Sequence, residues 1–159
     1  MAEVDINKGS NVNIDGTQYI VVKVGSEQYG IDIGIVDNIV KMQRITRVPK
    51  SQKYYKGVIN LRGDVVPVMS LRSKLDMGEI DYTSATRIII TKFDANAFVG
   101  FIVDEVMQIV TINEDELESP SFSKSADTNK YIIGIGKHDD ILISILDMNA
   151  VVDEGQISQ

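Results

Sequence analysis

Short runs of β-branched and aliphatic residues, each closed by turn residues, leave this chain few folds to choose from. Thr17–Val24, Glu27–Gly34, Lys56–Leu61, Val65–Leu71, Arg87–Phe93, Ala97–Val103, Val106–Ile112, Tyr131–Lys137 and Ile141–Leu146 read as strands. Turn signals stand between them at Gly25-Ser26, Gly63-Asp64, Asp94-Ala95-Asn96 and His138-Asp139-Asp140. Helix is confined to Leu71–Met77 and Asp147–Val152, about two turns each, with about one at Gln52–Tyr55 and another at Glu114–Leu117. Short strands at such close spacing specify an all-β sandwich or barrels.

A weak internal repeat divides the strands into two sets. Val36–Val40 aligns with Val103–Met107, Val58–Leu61 with Ile132–Ile135, and Asp64–Pro67 with Asp140–Ile143. Two similar β units follow, neither of which buries much alone, since domains of about 60 residues are marginal. The expectation is a folded region over 17–152 in which two intertwined half-barrels share an apolar seam. The first barrel core is placed at roughly 35–85 and the second at 86–145, with N- and C-terminal segments completing them. Residues 1–16 and 153–159 are expected to be flexible. The polar stretch Asn113–Lys130 reads as a long loop of the second unit, with Phe122 its one large ring.

Composition removes several function classes. The chain has no Cys and one His, which excludes disulfides, thiol catalysis and cysteine or multi-histidine metal centres. His138 sits in a KHDD turn with no nucleophile motif beside it, and Gly134-Ile135-Gly136 lacks the third glycine and following helix of a dinucleotide fingerprint. Asp37 and Asp104 read as structural caps rather than a catalytic pair. The expectation is a non-enzyme without cofactor or metal. With neither a leader-like start nor a span of about 18 apolar residues, it is also expected to be cytoplasmic, with no direct membrane insertion.

Charge is uneven in this chain of net −7. Lys41 to Lys74 carries nine basic residues against one acid, Asp64, with Tyr54 and Tyr55 interleaved. That stripe supports one alternative function, a small β-barrel nucleic-acid-binding protein using residues 41–74. The acidic remainder opposes it, and a solvated face that meets an acidic protein patch fits better. The apolar positions 31, 33, 35, 36, 39 and 40 cannot all face one core along a simple strand, because side chains alternate. They either line an exposed docking seam or are sealed between the two units.

Gly57–Val68 (GVINLRGDVVPV) resembles the GVxNLRGxxxPV signature of the CheW-type chemotaxis coupling proteins. Tyr29–Ile33 and Ile45–Pro49 fit the stretch before it, and Val99–Val106 is similar to the family's VGxxVDxV segment. The resemblance covers about 17–152. It implies two five-stranded SH3-like β-barrels sharing a hydrophobic core, with short helices and no catalysis. It implies an adaptor, monomeric alone, that joins receptor arrays by bridging the cytoplasmic hairpin tip of methyl-accepting chemoreceptors to the regulatory domain of the CheA histidine kinase. By motif position the receptor groove between the barrels would use Ile33, Val36, Ile39 and Val106, with Asn60 and Arg62 near its rim. Arg62 would either orient a receptor carboxylate or carbonyl or satisfy its own turn. Phe122 would contact the kinase, its other reading being a loop anchor. Nucleic acid has no place in this reading.

Overall fold

The computed structural model describes residues 16–94, 97–119 and 130–153. Ten strands form two five-stranded sheets. In chain order they are β1 (Thr17–Val24), β2 (Glu27–Asp32), β3 (Val36–Lys41), β4 (Tyr55–Leu61), β5 (Asp64–Ser70), β6 (Arg87–Asp94), β7 (Ala97–Val103), β8 (Glu105–Ile112), β9 (Ile132–His138) and β10 (Ile141–Leu146). Helix α1 (Leu71–Lys74) follows β5, and α2 (Met148–Asp153) follows β10. The all-β expectation, with two five-stranded sheets and short helices, holds.

The chain separates into two units, one of residues up to Gly34 and from Met107 onward, the other Ile35–Val106. The division expected near residue 86 therefore falls elsewhere. β6 and β7 hydrogen-bond within the sheet of β3–β5, in the order β3-β6-β7-β5-β4, while β1 and β2 complete the other as β8-β1-β2-β10-β9. The two orders match strand for strand once the N-terminal hairpin β1–β2 is set in the place of β6–β7. One unit is thus a circular permutation of the other. Its first two strands come from the start of the chain, which a repeat search that preserves chain order cannot reveal.

The equivalence extends to register. β5 runs parallel to β7 with Val68 opposite Gly100, and β10 runs parallel to β2 with Ile145 opposite Gly30. At both glycines a Cβ would strike isoleucine side chains, Ile145 at Gly30 and Ile88 at Gly100, at 2.8 Å. Val58 pairs with Pro67 and Ile135 with Ser144, so Val58 corresponds to Ile135 and not to Ile132. Both residues also make an isolated antiparallel bridge, Thr46 to Val58 and Glu118 to Ile135, each with two reciprocal backbone bonds of 2.8–2.9 Å. The segment after the first strand of each set, β3 or β8, is thereby tied to the last, β4 or β9, which closes each sheet into a barrel.

Each barrel has its own core. Tyr19, Val21, Val110, Ile112, Ile143 and Ile145 form one, and Ile59, Val66, Val68, Ile88, Ile90 and Ile102 the other. The i, i+2 spacing within strands places these side chains on one face. Fully burying each aliphatic contributes about 1.5–3 kcal/mol.

Gly57 controls the second closure. Its φ is +139°, and a Cβ there would lie 2.1 Å from the Thr46 carbonyl oxygen. Gly57→Ala is expected to cost about 3 kcal/mol or more. Gly78→Ala, into open space, is expected to stay within about 0.5 kcal/mol. Urea denaturation of the two variants measures the difference.

Candidate protein-interaction surface

The run from Gly30 to Val40 resolves into three local structures rather than one strand. β2 ends at Asp32, whose Oδ1 accepts from the Gly34 amide at 2.8 Å and starts a single 3-10 turn over Ile33–Ile35. β3 then begins with an irregularity between Val36 and Asn38, where Asn38 Oδ1 accepts from the Ile39 amide at 2.9 Å. Each break resets the alternation, so the run can bury most of its apolar residues. Ile31, Ile33 and Val36 are in fact buried, Ile33 at 8 % and Val36 at 1 % exposed. Ile33 and Val36 were expected to line a receptor surface and instead serve as core. Ile35, Ile39 and Val40 are half-buried and keep part of their apolar surface in water.

The NLRG block forms the β4–β5 hairpin turn. Arg62 at φ +52° and Gly63 at φ +88° are its two central residues, a pair of left-handed positions that matches the twist of a hairpin. Asn60 Oδ1 accepts from the Gly63 amide at 3.1 Å, so Asn60 holds the turn. The Arg62 side chain is exposed and has no described partner, which removes the turn-satisfying reading for it. Asp139 and Asp140 occupy the same turn between β9 and β10 at φ +51° and +67°.

Val106, half-buried near the start of β8, follows a corner held by charge. Both oxygens of Asp104 accept from Arg72 of α1, Nε to Oδ1 and Nη2 to Oδ2, at 3.1 Å each. Arg72 Nη1 also donates to the Gly78 carbonyl. Both partners are largely shielded, so this two-bond pair is worth more than a surface ion pair. A sequence reading has no means of joining these two residues, since neither periodicity nor a turn motif links them. Their one visible sign was the repeat-related Asp at position 104.

Beyond that pair, Glu79 accepts from the hydroxyls of Ser70 and Ser73 and faces Lys56 Nζ at 3.6 Å. Burial alone would raise its carboxyl, but the two hydroxyls and the Lys56 charge outweigh it and hold the group below its ordinary 4.5. These contacts pin the segment after α1 to β4 and to the end of β5.

The basic stripe does not form one continuous face. Lys74 is buried with its ammonium 4.2 Å from the Tyr54 ring centroid, Arg72 serves Asp104, and Lys56 serves Glu79. Asn60 and Arg62 share a hairpin, and Val36 and Ile39 share β3. β3 and β4 lie at opposite ends of the strand order, and Ile33 belongs to the other unit. Phe122 lies outside the described residues.

Comparison with known proteins decides the family. The profile of the CheW-like domain matches residues 18–156. The chain belongs to the CheW-like domain family. Chemotaxis protein CheW of Bacillus subtilis (strain 168) is 42% identical over 139 residues, covering 87% of this chain and 88% of its own. Chemotaxis protein CheW of Helicobacter pylori is 32% identical over 140 residues, covering 88% and 84%. The scaffolding protein TtCheW from Thermoanaerobacter tengcongensis superposes with a TM-score of 0.78 at 29% identity, covering 91% of this CheW-like chain and 93% of TtCheW. None of these relatives supports the nucleic-acid alternative. No helix among the described residues is long and apolar enough to cross a membrane.

Two measurements check the geometry. Because the Glu79 carboxyl is lowered in the folded state, its contribution is present above its unfolded value and is lost as pH falls through the folded one. The wild type should therefore lose more stability between about pH 5 and pH 3 than Glu79→Gln does, in denaturant titrations at each pH. Val36→Asp should lower stability by about 3 kcal/mol or more, because the site is sealed and offers no partner for a charge.

Proposed function

We propose that this chain is a non-catalytic chemotaxis adaptor that couples methyl-accepting chemoreceptors to the CheA histidine kinase. The observation that carries the reading is the family match over residues 18–156, joined to a structural neighbour described as a scaffolding protein. The strand framework, in which helix is short and the chemistry-bearing residues are tied up in turns and ion pairs, fits a docking platform.

The receptor's helical tip docks on the half-buried apolar side chains Ile39 and Val106, with exposed Arg62 orienting it through its guanidinium fork. Ile33, Val36 and Asn60 take part indirectly, the first two as buried side chains at the end of β2 and the start of β3 and the last by shaping the NLRG turn that presents Arg62. Phe122 makes the kinase contact. Two partly exposed side chains can supply less than the roughly 1.5–3 kcal/mol each of full burial, from which association costs must be subtracted. A single receptor contact is therefore weak, and stable assembly comes from many linked contacts in an array.

Ile39→Asp and Val106→Asp should each reduce capture of an immobilised receptor hairpin about tenfold or more, with the unfolding midpoint shifted by only a few degrees. Arg62→Ala should weaken the same capture without lowering stability. Phe122→Ser should spare the receptor and reduce binding to the CheA regulatory domain. Undiminished receptor capture by both aspartate variants would overturn the docking surface.

A further inference from the structure

Arg44, Arg47, Lys50 and Lys53 of the stripe, none of which has a described acidic partner, line one feature. The loop joining β3 to β4 borders an open cavity of about 1120 Å³ whose walls include no carboxylate. Its apolar walls are Ile45, Val48, Tyr55 and Tyr82, of which Val48 is 37% and Tyr82 48% exposed. Four like charges around one opening repel each other, and no ion pair within the chain relieves them among the described residues.

The cavity is held open rather than collapsed. The bridge between Thr46 and Val58 fixes one end of the loop. Ser51 Oγ donates to the Val48 carbonyl at 2.8 Å around a turn in which Lys50, directly after Pro49, adopts φ +63°. That left-handed conformation costs a non-glycine residue roughly 1–2 kcal/mol, and it keeps a charged side chain where glycine would be cheaper. The opposite wall, Tyr82, comes from the segment pinned by Glu79 to Ser70, Ser73 and Lys56.

We propose that this cavity docks an acidic peptide segment of a protein partner, one that carries an apolar anchor between its carboxylates. The cations form the rim and Val48, Tyr55 and Tyr82 the anchor site, the arrangement of an energetic centre inside a charged border. The chain's net −7 repels extended polyanions such as nucleic acid or an anionic bilayer. A short segment within a Debye length of about 8 Å sees only the local cations. A compact phosphate would be served by a helix N-terminus or a cradle of amides, and no helix lines the cavity. This docking site is separate from Ile39, Val106 and Arg62 and goes beyond the receptor reading.

The test uses the full chain and a fluorescein-labelled peptide of twelve residues, Asp and Glu flanking a central Leu-Phe pair, followed by anisotropy. Saturable binding is expected that weakens at least about tenfold in Arg47→Glu/Lys50→Glu, weakens with added salt, and is unchanged in Lys137→Glu. Replacing the Leu-Phe pair by Ser-Ser should weaken it further, and thermal melts should show both proteins folded. Absence of binding, equal binding in the double variant, or indifference to the Leu-Phe pair would overturn the proposal. So would displacement by inorganic tripolyphosphate at lower concentration than by unlabelled peptide, or a concentration-dependent dimer of the chain that the double variant abolishes. Receptor-hairpin capture measured on the same double variant should be intact. Its loss would assign this cavity to the receptor and overturn the separate site, whereas Ile39→Asp reports on the receptor reading alone.

Discussion

Two backbone hydrogen bonds between Thr46 and Val58 close the barrel of residues Ile35–Val106, and they form only because Gly57 carries no side chain. The bridge sets the end of β3 against β4. It thereby fixes the loop that carries Arg44, Arg47, Lys50 and Lys53 and the hairpin that presents Arg62. The equivalent bridge between Glu118 and Ile135 closes the other barrel. A five-stranded sheet left open would expose the edges of its outer strands, which are sites of unwanted pairing. Closure by one residue pair suppresses that. The family's GVxNLRG block thus has a mechanical reading in this chain. Gly57 admits the bridge, Asn60 and Gly63 make the turn, and Arg62 is the member left exposed.

Most strands were legible because their signal is local. β1, β7 and β10 begin and end where alternation and turn residues placed them, and the others lie within one or two residues. β3 was hidden because a 3-10 turn and a bulge interrupt its approach, so Val36 and Ile39 look like part of one over-apolar strand. The repeat was visible in its strand pairs but not in its register, and its permuted order concealed that β6–β7 and β1–β2 are counterparts. Hydrogen-bond partners far apart in the chain carry that information, and a linear pattern does not.

The apolar run behind the candidate surface was legible in the sequence, but its burial was not. Sequence alternation flagged too many apolar residues for one face, but it could not say which were sealed. Backbone breaks at Asp32 and Asn38 decided that, turning Ile33 and Val36 inward and leaving Ile39 half in water. Arg62 was ambiguous for a similar reason. Whether an arginine serves its own turn depends on its guanidinium finding an acceptor there, and the turn's one described side-chain bond runs from the Gly63 amide to Asn60. The Arg72–Asp104 pair lay beyond sequence reasoning altogether, since its two members come from separate elements and meet only once α1 packs near the end of β7.

On this reading the chain is a rigid platform whose partners read exposed side chains on closed barrels. Amide chemical-shift mapping by NMR during titration with a soluble receptor hairpin tests it most directly. Shifts are expected to concentrate at Ile39, Val106 and Arg62, with the amides of Thr46 and Val58 protected from solvent exchange throughout. Shifts spread evenly over both cores, or rapid exchange at the Thr46–Val58 bridge on binding, would contradict it by showing that the barrels open to receive the partner.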